Sequence, residues 1–589
     1  MNLAAVSHKV KDNECYPLNQ DELMICLRTG KDVEAVSLYV GDPFDGGILG
    51  GNWEWHGERQ TVSFRKELPL HYIWNIVVKP PYKRCKYYFE LAAENQKIYY
   101  FENGFFTEEE LKIAYHQASG FCFPWMNSAD INETPAWVND TVWYQIFPER
   151  FCNGCSENDP SPVQKWESRK VTNEEFFGGD LQGIIQKLDY LQQLGITGLY
   201  LTPIFASSSA HKYDTTDYTQ IDPHFGDHHV MQTLVQEAHK RGMRVMLDGV
   251  FNHCGKDFFA WKDVLEKGRS SAFADWFMIN RWPFDAETPD THHGDYYTFG
   301  FTNMMPKLNA NHPEVRRYLL EVVTDWIRNY DIDGLRLDVA NELSHTFCKQ
   351  LRRSVKNLKK DFYLLGEIWN DSMTWLRGDE FDSVMNYPLA SSIDRFFQGP
   401  LRDAKRFEQD INEHYSMYMQ QTNDVLFNLL DSHDTNRLMD KTGNEDVFFQ
   451  ELALLMAMPG SPCIFYGTEI GMEGGHDPDC RRCMPWQEIE QGEYQTRIDT
   501  VCNLIALRKQ QTMKSRHFHF FYHQDTPEIL HLIKTDEDGA HMEILVNASQ
   551  QEFVWKPLGK LVFSRNCEGL AVHPGGICMQ QVSAVKNDI

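Results

Sequence analysis

The sequence has few basic residues for its length and no long apolar run. Its 57 Lys and Arg residues face 84 Asp and Glu residues, which gives a formal net charge of -27. This negative surplus repels phosphate backbones and anionic lipids, so we expect neither nucleic acid nor a membrane surface as a partner. No segment is apolar over the roughly 20 residues that a membrane-spanning helix needs. The N-terminal segment also lacks the apolar run of roughly 7 to 15 residues that is typical of a secretory signal.

The cysteines are scattered along the chain. The 14 cysteines are spread over 589 residues, without the dense spacing of a small secreted domain held together by disulfides. We therefore expect mostly reduced thiols and a cytoplasmic location.

The chain is too long for a single hydrophobic core, which indicates two or more domains. Short strand-like runs separated by turns, such as 36–40 and 87–91, predict a small N-terminal β-sandwich over residues 1–130. Alternating β segments return near the end of the chain and predict a C-terminal β-sandwich over residues 511–589.

Between these regions, strand-like apolar runs alternate with amphipathic helical patterns, as in a series of βαβ units. Helical periodicity is clear over 183–194 and over 313–329. Eight strands with intervening helices predict an α/β fold, a closed (β/α)₈ TIM barrel over residues 131–510. The long gap after the third strand predicts an inserted subdomain at about residues 253–308. The predicted strands cover residues 142–147, 196–202, 244–250, 334–338, 363–367, 383–387, 426–430 and 463–466.

Acidic residues stand at the ends of several predicted strands, where an α/β barrel carries its reacting groups. Asp338 and Glu367 end the fourth and fifth strands, Asp434 lies just beyond the seventh, and Asp248 lies near the end of the third. A single acid at a strand end is more often a helix cap or a salt-bridge partner, but four at one barrel mouth indicate a site.

Two carboxylates about 5 to 5.5 Å apart can cleave a glycosidic bond with retention of configuration. One carboxylate attacks the anomeric carbon, while the other protonates the leaving oxygen. We expect the crowded negative charge to raise the pKa of the acid, so that it keeps its proton near neutral pH.

Three basic side chains accompany these acids. Arg336 lies two residues before Asp338, on the same face of its strand, and is placed to keep that carboxylate ionised. His253 and His433 can hydrogen-bond sugar hydroxyls, although either histidine taken alone is more often a structural residue.

Four ordered segments contain these residues: Asp248-Gly-Val-Phe-Asn-His253, Gly334-Leu-Arg-Leu-Asp-Val-Ala-Asn-Glu342, Gly366-Glu-Ile-Trp369 and Leu430-Asp-Ser-His-Asp434. In this order they resemble the four motifs of the α-amylase family of glycoside hydrolases (glycoside hydrolase family 13). The resemblance implies Asp338 as nucleophile and Glu367 as acid/base. It also implies that Asp434 binds sugar hydroxyls and distorts the ring toward the transition state.

Further segments resemble one cluster of that family, the neopullulanases, cyclomaltodextrinases and maltogenic amylases. They are the segment 305–309, the segment 339–342 after the nucleophile, and the N-terminal segment 39–45. In this cluster the N-terminal domain commonly leans over a partner subunit's active site. The resemblance therefore implies a homodimer with a narrowed cleft that suits cyclodextrins and short maltodextrins.

The resemblance also implies sugar contacts outside the catalytic acids. Tyr213 matches a tyrosine that stacks beneath the sugar at the cleavage site. Asn341 and Glu342 are expected to contact the leaving-side sugars. The shape around these two residues and Trp369 is expected to influence whether the enzyme hydrolyses, transfers or cleaves α-1,6 bonds.

The loop after the first strand resembles a calcium site that members of this cluster often hold. The matching ligands are Asn153, Asn158, Asp159, Gly178 and Asp180. Cys155 stands where an aspartate is usual, and a thiol in place of a hard oxygen donor weakens or abolishes such a site. Calcium therefore stays open, and no organic cofactor is expected.

Two pairs of cysteines have the spacing of zinc ligands. They are Cys152 with Cys155, and Cys480 with Cys483 after the eighth strand. Because the first and eighth strands of a closed barrel are neighbours, the four thiols could form a structural zinc site. The alternative is four unrelated reduced thiols.

Together these features predict a retaining hydrolase that cleaves α-1,4-glucosidic bonds of cyclodextrins, maltodextrins, pullulan or starch, with possible transglycosylation. One alternative is a relative that binds α-glucans without cleaving them. The other is an enzyme dominated by transglycosylation or by α-1,6 cleavage.

Overall fold

The structure is a computed structural model that describes residues 1–45, 55, 57–94, 96–114, 117–556 and 559–583. The last six residues of the predicted C-terminal domain therefore lie outside the described residues. The chain divides into two units. The first contains Met1–Glu133, Met373–Gly378 and Asp403–Asn423, and the second contains Thr134–Ser372, Asp379–Arg402 and Asp424–Ile589.

The N-terminal segment consists of two antiparallel sheets. Its elements are β1 (Cys15–Pro17), β2 (Leu23–Gly30), β3 (Ala35–Gly41), β4 (Glu58–Val62), β5 (Phe64–Glu67), β6 (His71–Val78), β7 (Cys85–Ala93), β8 (Gln96–Phe101), β9 (Gly104–Phe106), α1 (Glu108–Ala114) and β10 (Phe121–Phe123). One sheet has the order β1-β2-β6-β5 and the other β4-β3-β7-β8-β9, with β10 beside β7. Buried residues from both sheets, including Leu27, Trp74, Leu38 and Phe89, share one core.

All eight predicted barrel strands are present. The strands of this region are β11 (Trp143–Ile146), β12 (Gly198–Leu201), β13 (Phe205–Ser207), β14 (Thr215–Ile221), β15 (Arg244–Gly249), β16 (Gly334–Leu337), β17 (Tyr363–Gly366), β18 (Ser383–Val384), β19 (Phe427–Asn428) and β20 (Ser461–Phe465). The barrel sheet is parallel and has the order β18-β17-β16-β15-β12-β11-β20-β19. A parallel bridge between Met385 and Phe427 joins its two ends. The predicted TIM barrel is therefore confirmed.

The helices that follow are α2 (Pro148–Phe151), α3 (Leu181–Gln186), α4 (Leu188–Leu194), α5 (His228–Lys240), α6 (Phe259–Lys267), α7 (Pro313–Tyr330), α8 (His345–Leu358), α9 (Tyr387–Gln398), α10 (Ala404–His414), α11 (Gln420–Asn423), α12 (Leu438–Thr442), α13 (Glu445–Ala457), α14 (Trp486–Glu490), α15 (Gln495–Arg508) and α16 (Gln511–Lys514). The helix predicted over 183–194 is interrupted at Lys187, which lies between α3 and α4. The helix predicted over 313–329 is α7, with Pro313 in its first turn, where a missing N–H costs no hydrogen bond.

Large side chains fill the barrel. Trp143, Tyr200, Tyr363 and Phe427 are all buried in one cluster, so the barrel is a packed core rather than a pore. No helix in the described part of the chain is both long and apolar enough to cross a membrane.

The long connection after β15 contains α6 and several isolated bridges, such as His253 with Lys307 and Ile279 with Tyr296. It forms the inserted subdomain. The C-terminal segment forms a six-stranded antiparallel sheet in which β26 pairs with three other strands. Its strands are β21 (His517–Phe521), β22 (Ile529–Thr535), β23 (His541–Asn547), β24 (Phe553–Val554), β25 (Lys560–Glu568) and β26 (Ala571–Val582).

Candidate active site

Four acids lie at the carboxyl ends of the barrel strands. Asp248 is the second-last residue of β15, and Asp338 directly follows β16. Glu367 directly follows β17, and Asp434 lies in the segment after β19. Because these strands are parallel neighbours, their carboxyl ends meet at one mouth.

One guanidinium group connects three of these acids. Arg336 Nη1 donates to both carboxylate oxygens of Asp248, at 2.9 and 2.8 Å, and to Asp338 Oδ1 at 2.9 Å. Arg336 Nη2 lies 2.8 Å from Glu367 Oε2. The Arg336 side chain is fully buried, so this cation has no solvent partner and is committed to the three carboxylates.

Burial raises the pKa of Asp338 well above its ordinary value, and the negative charges of Glu367 and Asp434 raise it further, whereas Arg336 lowers it. Burial also raises the pKa of Asp248. Asp248 and Asp338 share the Arg336 cation, so the proton affinity of each carboxylate depends on the charge of the other. A double displacement needs one acid ionised and another protonated.

Both oxygens of Glu367 are oriented by donors. Glu367 Oε2 accepts from the backbone N–H of Val339 at 2.9 Å, and Oε1 accepts from Trp369 Nε1 at 3.2 Å. The Trp369 ring stacks on Tyr387 at a centroid distance of 3.7 Å and an angle of 5°. Val339 has a φ of 44°, which is strained for a β-branched residue, and such strain is typical of functional sites.

A chain of hydrogen bonds runs behind the acids. Gln145 Nε2 lies 2.6 Å from His433 Nδ1, and His433 Nε2 lies 2.5 Å from the Tyr213 hydroxyl, which donates to Asp248 Oδ2 at 3.0 Å. Burial holds the pKa of His433 well below its ordinary value, so the ring is neutral. Since Nδ1 accepts from the Gln145 amide, Nε2 carries the hydrogen and also lies 3.1 Å from Asp434 Oδ2.

The acids open into a cavity of about 360 Å³. This size suits a small number of sugar rings. The lining residues are Asn173, His211, Tyr213, His253, Phe299, Met305, Asp338, Val339, Asn341, Glu367, Trp369, Asp434, Asp477 and Arg481.

Most of the predicted site residues meet in this cavity. Its lining contains all three predicted catalytic residues, together with Tyr213, His253, Asn341 and Trp369. Arg336 and His433 lie behind the lining and orient it. Glu342 does not line the cavity, because its carboxylate is paired with Lys307 Nζ at 2.9 Å.

Comparison with known proteins agrees with this geometry. Residues 145–525 match the model described as "Alpha amylase, catalytic domain", and residues 1–127 match "Alpha amylase, N-terminal ig-like domain". A cyclomaltodextrinase from Geobacillus thermopakistaniensis (strain MAS1) is 47% identical over 561 residues, which cover 94% of this chain and 92% of the relative. The chain belongs to the alpha-amylase family.

Membership in the alpha-amylase family extends over nearly the whole chain. An intracellular maltogenic amylase from Bacillus subtilis (strain 168) is 43% identical over 515 residues, which cover 87% of this chain and 85% of the relative. A solved structure of a cyclomaltodextrinase matches with a TM-score of 0.87 and 36% identity, over 99% of this chain and 98% of that chain. The resemblance predicted from the motifs is confirmed.

Several residues of this alpha-amylase site were not predicted from the sequence. Arg481 Nη2 lies 3.3 Å from Asp434 Oδ1, and its Nη1 lies 2.7 Å from Asp477 Oδ1. Phe299 stacks on His253 at 5.0 Å. These residues come from the loop after β20 and from the inserted subdomain, where no strand end marks them. The other lining residues that were missed are Asn173, His211, Met305 and Val339.

The loop after β11 brings together several of the predicted calcium ligands of the family. Asn153 Nδ2 donates to Asp159 Oδ1 at 2.6 Å. Gly178 has a φ of 82° and approaches both side chains so closely that a Cβ there would overlap with them. Only glycine fits this position.

The carboxylate of Asp180 is engaged in hydrogen bonds within the protein. Its carboxylate accepts from the backbone N–H groups of Gly154 at 3.0 Å, Cys155 at 2.9 Å and Gly183 at 2.6 Å, and thereby caps α3. The Asn158 amide also lies beside it, 3.3 Å from Oδ2. With Asp180 committed and a thiol at 155, the residues present fit calcium poorly.

The four cysteines of the zinc hypothesis are not grouped as metal ligands in the described part of the chain. Cys480 Sγ donates to the carbonyl oxygen of His433 at 3.1 Å, whereas Cys483 packs in an apolar cluster with Val171 and Phe177. In the described residues, no three His, Cys, Asp or Glu side chains are arranged to hold a metal ion. The two thiols of the loop after β20 therefore lie in separate environments, which does not favour the zinc hypothesis.

Proposed function

We propose that this chain is a retaining glycoside hydrolase that cleaves α-1,4-glucosidic bonds by double displacement. The observation that carries the proposal is the bridge that Arg336 makes between Asp338 and Glu367 at the wall of the cavity. A single cation that contacts both carboxylates fixes their mutual position, which is the requirement for attack and proton donation on one bond.

In the first step, Asp338 Oδ attacks the anomeric carbon and the bond from that carbon to the leaving oxygen breaks. Glu367 gives its proton to this oxygen, so the leaving sugar departs as a neutral alcohol. In the second step, ionised Glu367 takes a proton from water, which attacks the anomeric carbon and releases Asp338. Two inversions at one carbon give net retention.

The residues that pair with the acids or donate hydrogen bonds to them each contribute to this mechanism. Arg336 stabilises the ionised form of Asp338 against burial and like charge. Val339 N–H and the Trp369 indole hold Glu367 so that its proton is directed into the cavity. Asp434, held by Arg481 and His433, binds hydroxyl groups of the sugar whose ring is distorted in the transition state.

We propose cyclodextrins and short maltodextrins as the preferred substrates. The cyclomaltodextrinase and maltogenic amylase relatives support this choice over long starch chains. It is tested by rates on β-cyclodextrin, pullulan and soluble starch measured side by side with product sizes. Faster opening of cyclodextrin supports the proposal, and faster degradation of starch contradicts it. Panose from pullulan indicates neopullulanase-type cleavage.

Stereochemistry is tested independently of substrate choice. Proton NMR of products released within the first minutes should show the α-anomer, because double displacement retains configuration. Early β-anomer would overturn the mechanism. Absence of turnover on all three glucans, together with binding by calorimetry, would favour the alternative of a glucan-binding relative.

We also propose a homodimer in the cytoplasm. The N-terminal ig-like domain supports the dimer. The relative named as intracellular and the free thiols at all 14 cysteines support the cytoplasmic location. Light scattering of the purified protein should give twice the chain mass of 68.7 kDa. A mass of one chain at micromolar concentration would contradict the dimer.

A further inference from the structure

Two cysteines of the C-terminal sheet have adjacent sulfur atoms. Cys567 of β25 and Cys578 of β26 bring their Sγ atoms to 2.7 Å, although both are free thiols. A disulfide joins sulfur atoms at about 2.05 Å. The two side chains therefore need to move by less than about 1 Å to form a bond.

A local irregularity of the sheet creates this contact. Ser564 pairs with Cys578, so a regular antiparallel register would place Cys567 opposite Gly575, three residues away from Cys578. Instead, the register shifts just before Cys567, so that Cys567 pairs with Val572, and Asn566 takes a φ of 51° at the shift. Residues 573–576 of β26 are left out of the register with β25 at this bulge, and the Cys567 sulfur lies 3.4 Å from the carbonyl oxygen of Ile577, next to Cys578.

The two thiols differ in exposure and in acidity. Cys578 is buried, whereas Cys567 is partly exposed. The contact with Cys578 lowers the pKa of Cys567 below its ordinary value, whereas burial raises that of Cys480 to about 12. A partly exposed thiol with a lowered pKa and a second thiol within reach is the arrangement of a reactive cysteine and its resolving partner.

We propose that Cys567 and Cys578 form a reversible intramolecular disulfide when the protein meets a peroxide. The Cys567 thiolate attacks one oxygen of hydrogen peroxide, which breaks the O–O bond and gives a sulfenic acid and hydroxide. The Cys578 sulfur then attacks the Cys567 sulfur, and hydroxide leaves. Overall, two thiols lose two protons and two electrons, and one peroxide becomes two water molecules.

We expect the disulfide to restrain the contact between the C-terminal sheet and helix α13. Arg565, two residues before Cys567, lies 3.0 Å from Glu445 and 3.2 Å from Asp446 of α13. Because the disulfide would fix the end of β25 against β26, it would restrain the strand that carries this ion pair.

The sequence permits an unambiguous test. Cleavage by trypsin after Arg565 and Lys586 leaves both cysteines on one peptide, residues 566–586. The full-length protein is treated with hydrogen peroxide, alkylated under denaturing conditions, reduced, and alkylated again with a heavier reagent. We expect the count of free thiols to fall from fourteen to twelve, and this peptide alone to carry the heavier label on both cysteines.

Two variants control the result. Cys567→Ser has thirteen thiols and should keep all of them after peroxide. Cys502→Ser removes another partly exposed thiol and should still lose two. Dithiothreitol should restore the thiols in the wild type. If Cys567→Ser does not fold, judged by its circular dichroism, Cys578→Ala takes its place.

Retention of all fourteen thiols by the wild type, at a peroxide dose that oxidises free glutathione completely, would overturn the proposal. Heavier label confined to other peptides would overturn it as well, as would an unchanged loss of thiols in the Cys567→Ser variant.

Discussion

At the scale of single residues, Arg336 links the charge states of the site. Its guanidinium contacts three carboxylates with a fork that a lysine cannot reproduce. Without these contacts, burial and like charge act on Asp338 unopposed, and its pKa rises further.

We predict that Arg336→Lys lowers kcat/KM by about 100-fold at neutral pH. Since Asp338, the proposed nucleophile, must be ionised to attack, we expect activity to be lost as pH falls through its pKa. A higher pKa therefore moves the acidic limb of the kcat/KM profile to higher pH. The measurement is the pH profile of both proteins on β-cyclodextrin. An acidic limb at the same pH in both proteins would mean that Arg336 does not tune Asp338.

The roles proposed for Asp338 and Glu367 are distinguished by substitutions that respond differently to the leaving group of the substrate. Asp338→Asn should lower kcat by roughly 1,000-fold or more on every substrate while the protein stays folded. Glu367→Ala should be equally slow on maltodextrins, but it should keep much of its rate of bond cleavage on a maltosyl fluoride, whose leaving group needs no proton. Stopped-flow release of fluoride separates the two cases. Equal loss of fluoride release in both variants would refute the assignment of Glu367.

At the scale of elements, the loop after β11 is held by hydrogen bonds to one of its predicted calcium ligands. Asp180 is occupied by backbone N–H groups, and Cys155 supplies sulfur in place of oxygen. We predict that EDTA changes the thermal midpoint of the wild type by less than about 2 °C, since we expect this loop to hold no metal ion tightly.

Cys155→Asp is the matched variant for that loop. It restores a hard anionic donor near Asp159 and Asn153, so calcium in the millimolar range should raise its thermal midpoint by several degrees. Differential scanning fluorimetry with and without calcium measures both proteins. A calcium-dependent midpoint in the wild type would show that the thiol does not prevent binding.

A second element-scale prediction concerns the helices α9, α12 and α13. Burial raises the pKa of Glu451 in α13 to about 8, the charge of Asp394 in α9 adds to this, and Lys441 in α12 opposes it. In the unfolded chain a glutamate has a pKa of about 4.3. Between these two values the folded state holds a proton that the unfolded state has released, so stability falls as pH rises.

Glu451→Gln cannot ionise and should not show this loss. We expect its thermal midpoint to exceed that of the wild type by about 3 °C or more at pH 8, and the difference to shrink toward pH 5. The exposed Glu537→Gln serves as a control and should follow the wild type. A constant difference in thermal midpoint between Glu451→Gln and wild type from pH 5 to 9 would contradict the raised pKa of Glu451.

The elements also show where sequence reasoning works and where it stops. Asp338 and Glu367 were predictable because parallel strands end at one mouth, so their place follows from the strand pattern alone. Phe299, Asp477 and Arg481 lie in long connections without periodicity, and only the folded loops bring them to the cavity. The pairing of the Glu342 carboxylate could not be predicted for the same reason, since its partner Lys307 comes from the inserted subdomain.

At the scale of the whole molecule, the N-terminal unit is not contiguous in sequence. It includes Asp403–Asn423, which lies between two barrel strands. Asn412 Nδ2 donates to the carbonyl oxygen of Glu67 at 3.2 Å, and Gln421 Nε2 donates to that of Pro17 at 2.9 Å. Local patterns could not predict this, because the strands of residues 1–130 and the helices α10 and α11 are separated by nearly 300 residues.

This arrangement predicts the consequence of removing residues 1–130. Phe407 and Ile411 of α10 are buried, and the deletion would take away the strands whose carbonyl groups bind Asn412 and Gln421. The newly exposed apolar surface and the loss of these hydrogen bonds should together make the truncated protein aggregate. The measurement is soluble yield and thermal midpoint beside the full-length protein. A soluble truncated protein that unfolds within about 2 °C of full length would mean that α10 and α11 do not depend on the N-terminal sheets for their stability.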